Sequence, residues 1–164
     1  KTFREEWYLG DTYFTAIGQY SMQVTPLQMA RATAAVANGG KLFTPTLLIG
    51  DTPTYTTVPA DPAMLAVVRA GMRQTVTEAL ASMLHVPYVR VAAKTGTAQT
   101  GTRNQYDNSW VIGYFPYDNP RYAFALVLER GPEGSGSQAV NAMRKFFDSL
   151  YLENSPYVGS PANN

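Results

Sequence analysis

Polar and apolar positions change period several times along the chain, and each change marks an element. Residues 1–24 hold aromatic residues and glycines (Trp7, Tyr8, Gly10, Tyr13, Phe14, Gly18, Tyr20) with no clean period, which predicts an irregular segment. A helix follows. Thr25 suits the N-cap, Pro26 the first helical position and Gln28 the third, the spacing of a capping box. The Ala-, Met- and Leu-rich run from Leu27 to Ala37 propagates it, and Asn38-Gly39-Gly40 ends it with residues that accept left-handed conformations. Lys41 to Ile49 reads as one strand, or two short ones broken at Pro45, and residues 50–60 as an exposed loop or ribbon. Asp61-Pro62 repeats the cap-plus-proline start. Met64, Val67, Val68, Met72, Val76, Leu80, Met83 and Leu84 then recur at three- and four-residue steps. They predict an amphipathic helix of about 20 residues, with any interruption near Gly71 or Thr77 and its Met-rich stripe filling the core.

Val89 to Ala98, Ser109 to Phe115 and Tyr122 to Glu129 have the composition of strands, with Asp118-Asn119-Pro120 as a turn before the third. The connectors are too short for parallel crossovers, so these strands are expected to form an antiparallel meander. A Gly-rich linker, Gly131 to Gly136, leads to a last helix with Ala139, Val140, Met143, Phe146, Phe147 and Leu150 on one face. Residues 153–164 are expected to form a flexible tail. The order of elements is that of an α+β fold, an antiparallel sheet with packed helices, occupying residues 1–152.

Composition narrows the function. Of 164 residues 45% are apolar and only 15% charged, against about 25% charged in an ordinary domain. Thirteen basic and twelve acidic residues leave a net charge of +1, so no field for nucleic acid is built in. No apolar stretch reaches the ~20 residues of a membrane span. The absence of Cys excludes disulfides, thiol catalysis and Cys-based zinc sites, and a single His makes a transition-metal site a poor expectation. The chain starts with Lys rather than Met, so a piece of something longer is expected.

The sharpest chemistry is in Lys94-Thr95-Gly96-Thr97-Ala98, at the end of a predicted strand. Side chains alternate along a strand, so the hydroxyls of Thr95 and Thr97 share one side and can both donate to one carboxylate. Gly96 lets a ligand lie against the backbone, which can pair with an extended peptide as an added strand. Lys94, on the side of Gly96, brings a positive charge. These residues alone are equally compatible with a Gly-weakened strand end bearing an exposed Lys.

Context distinguishes the two readings. Lys-Thr-Gly is one of three signatures of serine penicillin-binding proteins and class A β-lactamases, beside Ser-x-x-Lys and a Ser-x-Asn motif. Val91-Ala92-Ala93-Lys94-Thr95-Gly96-Thr97-Ala98-Gln99 resembles the third active-site strand of a penicillin-binding protein transpeptidase domain. Gly10-Asp11-Thr12 to Ile17-Gly18-Gln19, Thr25 to Ala30, Ala37-Asn38-Gly39-Gly40 and Trp110-Val111-Ile112-Gly113-Tyr114-Phe115-Pro116 resemble flanking segments of the same family. Trp7-Tyr8-Leu9-Gly10-Asp11-Thr12 is similar to class B, elongation-type members, the penicillin-binding protein 2 type. Ala93 stands where the family usually has Gly, and Tyr20 where it often has Gly.

The resemblance implies a β-lactamase-like fold and a serine D,D-transpeptidase acting on D-Ala-D-Ala stem peptides of peptidoglycan and binding β-lactams, with no metal or cofactor. It implies that Thr95 and Thr97 bind the substrate carboxylate, that Gly96 belongs to the substrate-binding residues beside them, that the Thr97 N–H is an oxyanion-hole donor, and that Lys94 helps hold the hydrogen-bond and charge network of the site. It further implies a membrane-anchored parent with this domain outside the cytoplasm and a glycosyltransferase partner of the elongation machinery.

The other two signatures are absent. No Ser in the sequence has Lys three residues on, and none has Asn two residues on. The chain is therefore expected to be the C-terminal portion of the domain, inactive alone, and to expose apolar surface meant for the missing part. The alternative is a degenerate, non-catalytic binding or scaffold module of the same fold. Tyr106-Asp107-Asn108 and Tyr117-Asp118-Asn119 match a Tyr-x-Asn variant of the second signature but follow the Lys-Thr-Gly strand, and are read as turns. Gly134-Ser135-Gly136-Ser137-Gln138-Ala139 matches a dinucleotide fingerprint, yet no second parallel strand can follow it. His85 is read as a helix C-terminal residue, and the pairs Glu5/Glu6 and Glu129/Glu133 as solvated.

Overall fold

A computed structural model describes residues 6–19, 22–101 and 105–159; Glu5, Tyr20 and the last five residues of the expected tail lie outside them. The elements are α1 (Leu9–Ala16), α2 (Pro26–Ala37), β1 (Lys41–Phe43), β2 (Tyr55–Thr57), α3 (Pro62–Glu78), β3 (Ala92–Thr100), β4 (Tyr106–Phe115), β5 (Tyr122–Pro132) and α4 (Gln138–Leu152). A 3₁₀ turn, Ser82–Leu84, lies between α3 and β3.

The caps form as the sequence predicts. Thr25 Oγ1 accepts from the Gln28 N–H at 3.2 Å while Gln28 Oε1 accepts from the Thr25 N–H at 2.8 Å. Asp61 Oδ1 accepts from Ala63 N–H at 2.8 Å, starting α3 at Pro62. Gly39 and Gly40 end α2 with φ of 81° and 100°, a region closed to most side chains. Three expectations are corrected. Residues 9–16 form a helix rather than an irregular segment, with Asp11 accepting from the Tyr8 N–H at its start. α3 passes Gly71 without a break but ends at Glu78, directly after Thr77, so Leu80 lies in the connector and Met83 and Leu84 in the separate 3₁₀ turn. His85 accordingly caps that 3₁₀ turn and does not sit at the end of α3.

β3, β4 and β5 form the expected antiparallel meander in the order β3-β4-β5, while β1 and β2 pair as a separate ribbon. Alternation divides the sheet into two faces. Val91, Ala93, Val111 and Phe115 join Val76, Leu84 and the α4 residues Ala139, Val140, Met143 and Phe147 in the main core. Phe147 meets Phe115 and Phe124 edge-on, with centroids 4.9 and 5.8 Å apart. Ala92 and Tyr114 turn to the opposite face and pack with Ala37 of α2 and Met72 of α3. Phe146, expected on the buried face of α4, is half exposed. Of the segment after α4, expected to be a flexible tail, the described residues to Gly159 return to the body: Val158 is buried in the main core and the Gly159 N–H donates to Tyr88 O. Tyr88 donates to Asp148 Oδ1 at 2.6 Å, and Arg144 donates to the same carboxylate. These bonds, that from Tyr88 first, hold the Asp148 carboxyl below its ordinary value.

Truncating Phe147 to alanine removes the ring that joins β4, β5 and α4. Loss of about 3–5 kcal/mol is expected, read as a lower urea midpoint for Phe147→Ala than for the unmodified chain.

Candidate active-site strand

β3 is an edge strand, and among the described residues no strand pairs with its outer side. Its register against β4 is Lys94↔Ile112, Thr95↔Val111, Gly96↔Trp110 and Thr97↔Ser109. Residues opposite each other in an antiparallel pair share a face. Thr95 and Thr97 therefore lie on the α4 side with Val111 and Ser109, as strict alternation predicts. Lys94 lies with Ile112 on the other side, where both line an open groove of about 480 Å³ with Ala32 and Val36 of α2 and Val68 and Met72 of α3. Lys94 is exposed, and its Nζ donates to Thr95 O at 2.5 Å. Arg73 anchors α3 to the strand just before Lys94 by donating to Val91 O at 2.6 Å. Burial, and then the nearby Arg90, lower the pKa of this guanidinium from its ordinary value.

On the α4 side Thr97 meets the loop between β5 and α4. Ser109 is 1% exposed; its Oγ donates to Gly136 O at 2.6 Å and accepts from the Ala139 N–H at 3.0 Å. It thereby satisfies an opening donor of α4, for which Ser137 makes no side-chain cap. The buried Asp107 accepts from the Gly134 N–H at 2.7 Å, and Asn108 Oδ1 accepts from the Arg130 N–H at 2.9 Å. Two readings are corrected by these bonds. Tyr106-Asp107-Asn108 is the bulged start of β4 rather than a turn, and the Gly131–Gly136 segment is pinned to β4 rather than a free linker. Tyr117-Asp118-Asn119 is a turn as expected. Glu6, Glu129 and Glu133 are exposed.

Gln19, just beyond α1, reaches the outer side of β3, where its Nε2 donates to Thr97 O at 3.5 Å. No residue of α1 is buried, and Trp7, Tyr8, Leu9, Tyr13, Phe14 and Ile17 are all exposed. The Met-rich stripe of α3, expected to fill the core, does so only at Met72 and Val76; Met64 and Val67 are about two-thirds exposed, at 66% and 68%.

The family model for the penicillin binding protein transpeptidase domain matches residues 2–148. The chain belongs to this family. It is 32% identical over 179 aligned positions to the peptidoglycan D,D-transpeptidase MrdA of Salmonella typhimurium, covering 92% of the chain and 29% of that protein. MrdA of Haemophilus influenzae is 31% identical, with 96% and 28% covered. Penicillin-binding protein 2 of Helicobacter pylori, solved in complex with MreC, superposes with a TM-score of 0.76 at 31% identity, over 93% of this chain and 29% of that one. The chain thus spans less than a third of the length of these relatives. Its mixed helix and antiparallel-sheet architecture is that of penicillin-binding transpeptidase domains.

Sequence reasoning missed Ser109, Asp107, Gly136 and Arg73 as supports of this strand. A polar Ser opening an otherwise apolar strand was the available signal for Ser109. Nothing local marks Arg73, whose partner is a backbone carbonyl 18 residues away. Replacement by methionine keeps most of its stem packing but leaves Val91 O unpaired. Arg73→Met should destabilise the chain by about 1–3 kcal/mol, measured by urea unfolding; an unchanged midpoint would show that this bond does not hold α3 on β3.

Proposed function

We propose that the chain is the C-terminal portion of the transpeptidase domain of a class B, elongation-type penicillin-binding protein, a peptidoglycan D,D-transpeptidase. The observation that carries this reading is Lys94-Thr95-Gly96-Thr97 on an exposed edge strand, within a chain matched almost throughout by the transpeptidase family. In the proposed reaction a serine hydroxyl in the remainder of the domain attacks the carbonyl of the penultimate D-Ala. The terminal D-Ala leaves with the proton as its free amine, and an amine of a neighbouring stem peptide then displaces the serine ester. The Thr95 and Thr97 hydroxyls donate to the terminal carboxylate of the stem peptide or of a β-lactam, and Gly96 admits the ligand to the backbone. Thr97 O accepts from Gln19 across the outer edge of β3. The N–H and C=O of one residue in an extended strand point the same way, which would put the Thr97 N–H on that edge as an oxyanion donor. Lys94 contributes its charge on the groove side.

The sequence contains neither Ser-x-x-Lys nor a Ser-x-Asn motif, so the nucleophile belongs to the rest of the protein. The exposed aromatic face of α1 and the apolar groove beside Lys94 support a reading in which that remainder covers them. The site would lie outside the cytoplasm in a membrane-anchored parent. Partners of this chain would include a glycosyltransferase of wall elongation, in keeping with the peptidoglycan synthase complex among its structural neighbours. No cofactor is needed for the proposed acyl transfer.

Fluorescent penicillin should label the parent protein covalently and leave this chain alone unlabelled. Thr97→Val in the parent should slow acylation by about 10-fold or more through loss of a hydrogen bond to a charged group. Unchanged acylation would contradict the role given to Thr97, and labelling of the isolated chain would contradict the missing nucleophile.

A further inference from the structure

Gly136 has one neighbour that matters. A Cβ placed on it would lie 2.6 Å from Thr97 Oγ1 and 3.6 Å from both Thr97 Cβ and Cγ2. A contact of 2.6 Å is closer than side chains tolerate, whereas the backbone of Gly136 lies outside the left-handed region and would accept alanine without strain. The glycine therefore leaves space for the Thr97 hydroxyl in its present position. The loop cannot drift away from that contact freely. Its carbonyl at Gly136 is held by Ser109, the cross-strand partner of Thr97, and its N–H at Gly134 by the buried Asp107. Ser109 is fixed in turn by the Ala139 N–H at the start of α4. Thr97, Ser109 and Gly136 thus make one wall on the α4 side of β3.

We propose that Gly136, tethered by Ser109, is a positioning residue that holds the Thr97 hydroxyl where it selects ligands carrying a terminal carboxylate. This rests on the carboxylate-binding role given to Thr97 above. A β-branched side chain occupies few χ1 wells, so a methyl at position 136 would drive Thr97 into another well and swing its hydroxyl away. The backbone N–H of Thr97 would stay in place. The loss should therefore fall on recognition of the carboxylate and spare the acyl-transfer step.

The test compares acylation of the full-length parent by benzylpenicillin and by its methyl ester, which lacks the carboxylate. Gly136→Ala should reduce the rate for the acid about 10- to 100-fold, the value of a hydrogen bond to a charged group, and leave the rate for the ester unchanged. The ratio of the two rates, taken on one preparation, is independent of the folded fraction. In a Thr97→Val background Gly136→Ala should change that ratio no further, because the hydroxyl it displaces is already gone. Equal slowing of both ligands, no slowing of either, or additive loss in the double variant would each overturn the positioning role. Failure of the unmodified parent to be acylated would overturn the acyl-transfer reading itself, and this proposal with it.

Discussion

The pairing of β3 with β4 is the constraint on which the rest of the site depends. One register places Thr97 opposite Ser109 and Lys94 opposite Ile112. A slip of one residue would exchange the faces, sending the hydroxyls into the apolar groove and Lys94 toward α4. Two close approaches oppose that slip. Gly113 lies so near Ala92 O and the Phe124 ring that no side chain fits there, and Ser109 meets both Gly136 and Ala139 from its present position only. Packing adds to this, because Val91, Ala93 and Val111 must all face α4 to be buried. The geometry to which the proposed reading assigns the ligand is thus set by contacts within the chain itself.

The α4 side and the α2/α3 side are finished to different degrees. On the first, Phe147, Phe115 and Val140 close a dry core, and even Val158, beyond α4, is recruited to it. On the second, Ala37, Met72, Ala92 and Tyr114 make a small cluster beside an open apolar groove. Tyr114 is fully buried there, its hydroxyl accepting from Arg69 at 3.4 Å, and burial raises its pKa above the ordinary value. Under the proposed reading the low proportion of charged residues follows from this asymmetry. Trp7, Leu9, Phe14, Met64 and Val67 are apolar because of what they face in the complete protein under the proposed reading, not because of contacts within the chain.

Elements whose signals are local were legible in the sequence. The capping box at Thr25, the proline after Asp61, the glycines at 39 and 40 and the three strands all report on neighbours in the chain; the caps and glycines appear where expected and the strands in the expected order, with β3 starting at Ala92 rather than Val89 and β4 at Tyr106 rather than Ser109. Lys94, Thr95, Gly96 and Thr97 were singled out from spacing and family resemblance, and the register puts the two threonines on one face and Lys94 on the other, as alternation predicts. What failed was long-range. α1 was hidden because none of its residues is buried and its aromatic residues are largely exposed, which leaves no buried stripe to read. The stripe of α3 was read as core because periodicity reports an apolar face without saying what covers it. Asp107 and Ser109 resembled turn and strand-end residues locally, yet their partners lie 27 and up to 30 residues away.

In the proposed reading the outer edge of β3, with the hydroxyls of Thr95 and Thr97, receives the carboxylate of an acyl-transfer ligand. A crystal structure of the parent protein acylated by a β-lactam tests it most directly. The ligand carboxylate is expected within hydrogen-bond distance of both hydroxyls, and the carbonyl oxygen of the serine ester on the Thr97 N–H. A carboxylate bound elsewhere, with Thr97 turned from the ligand, would contradict it.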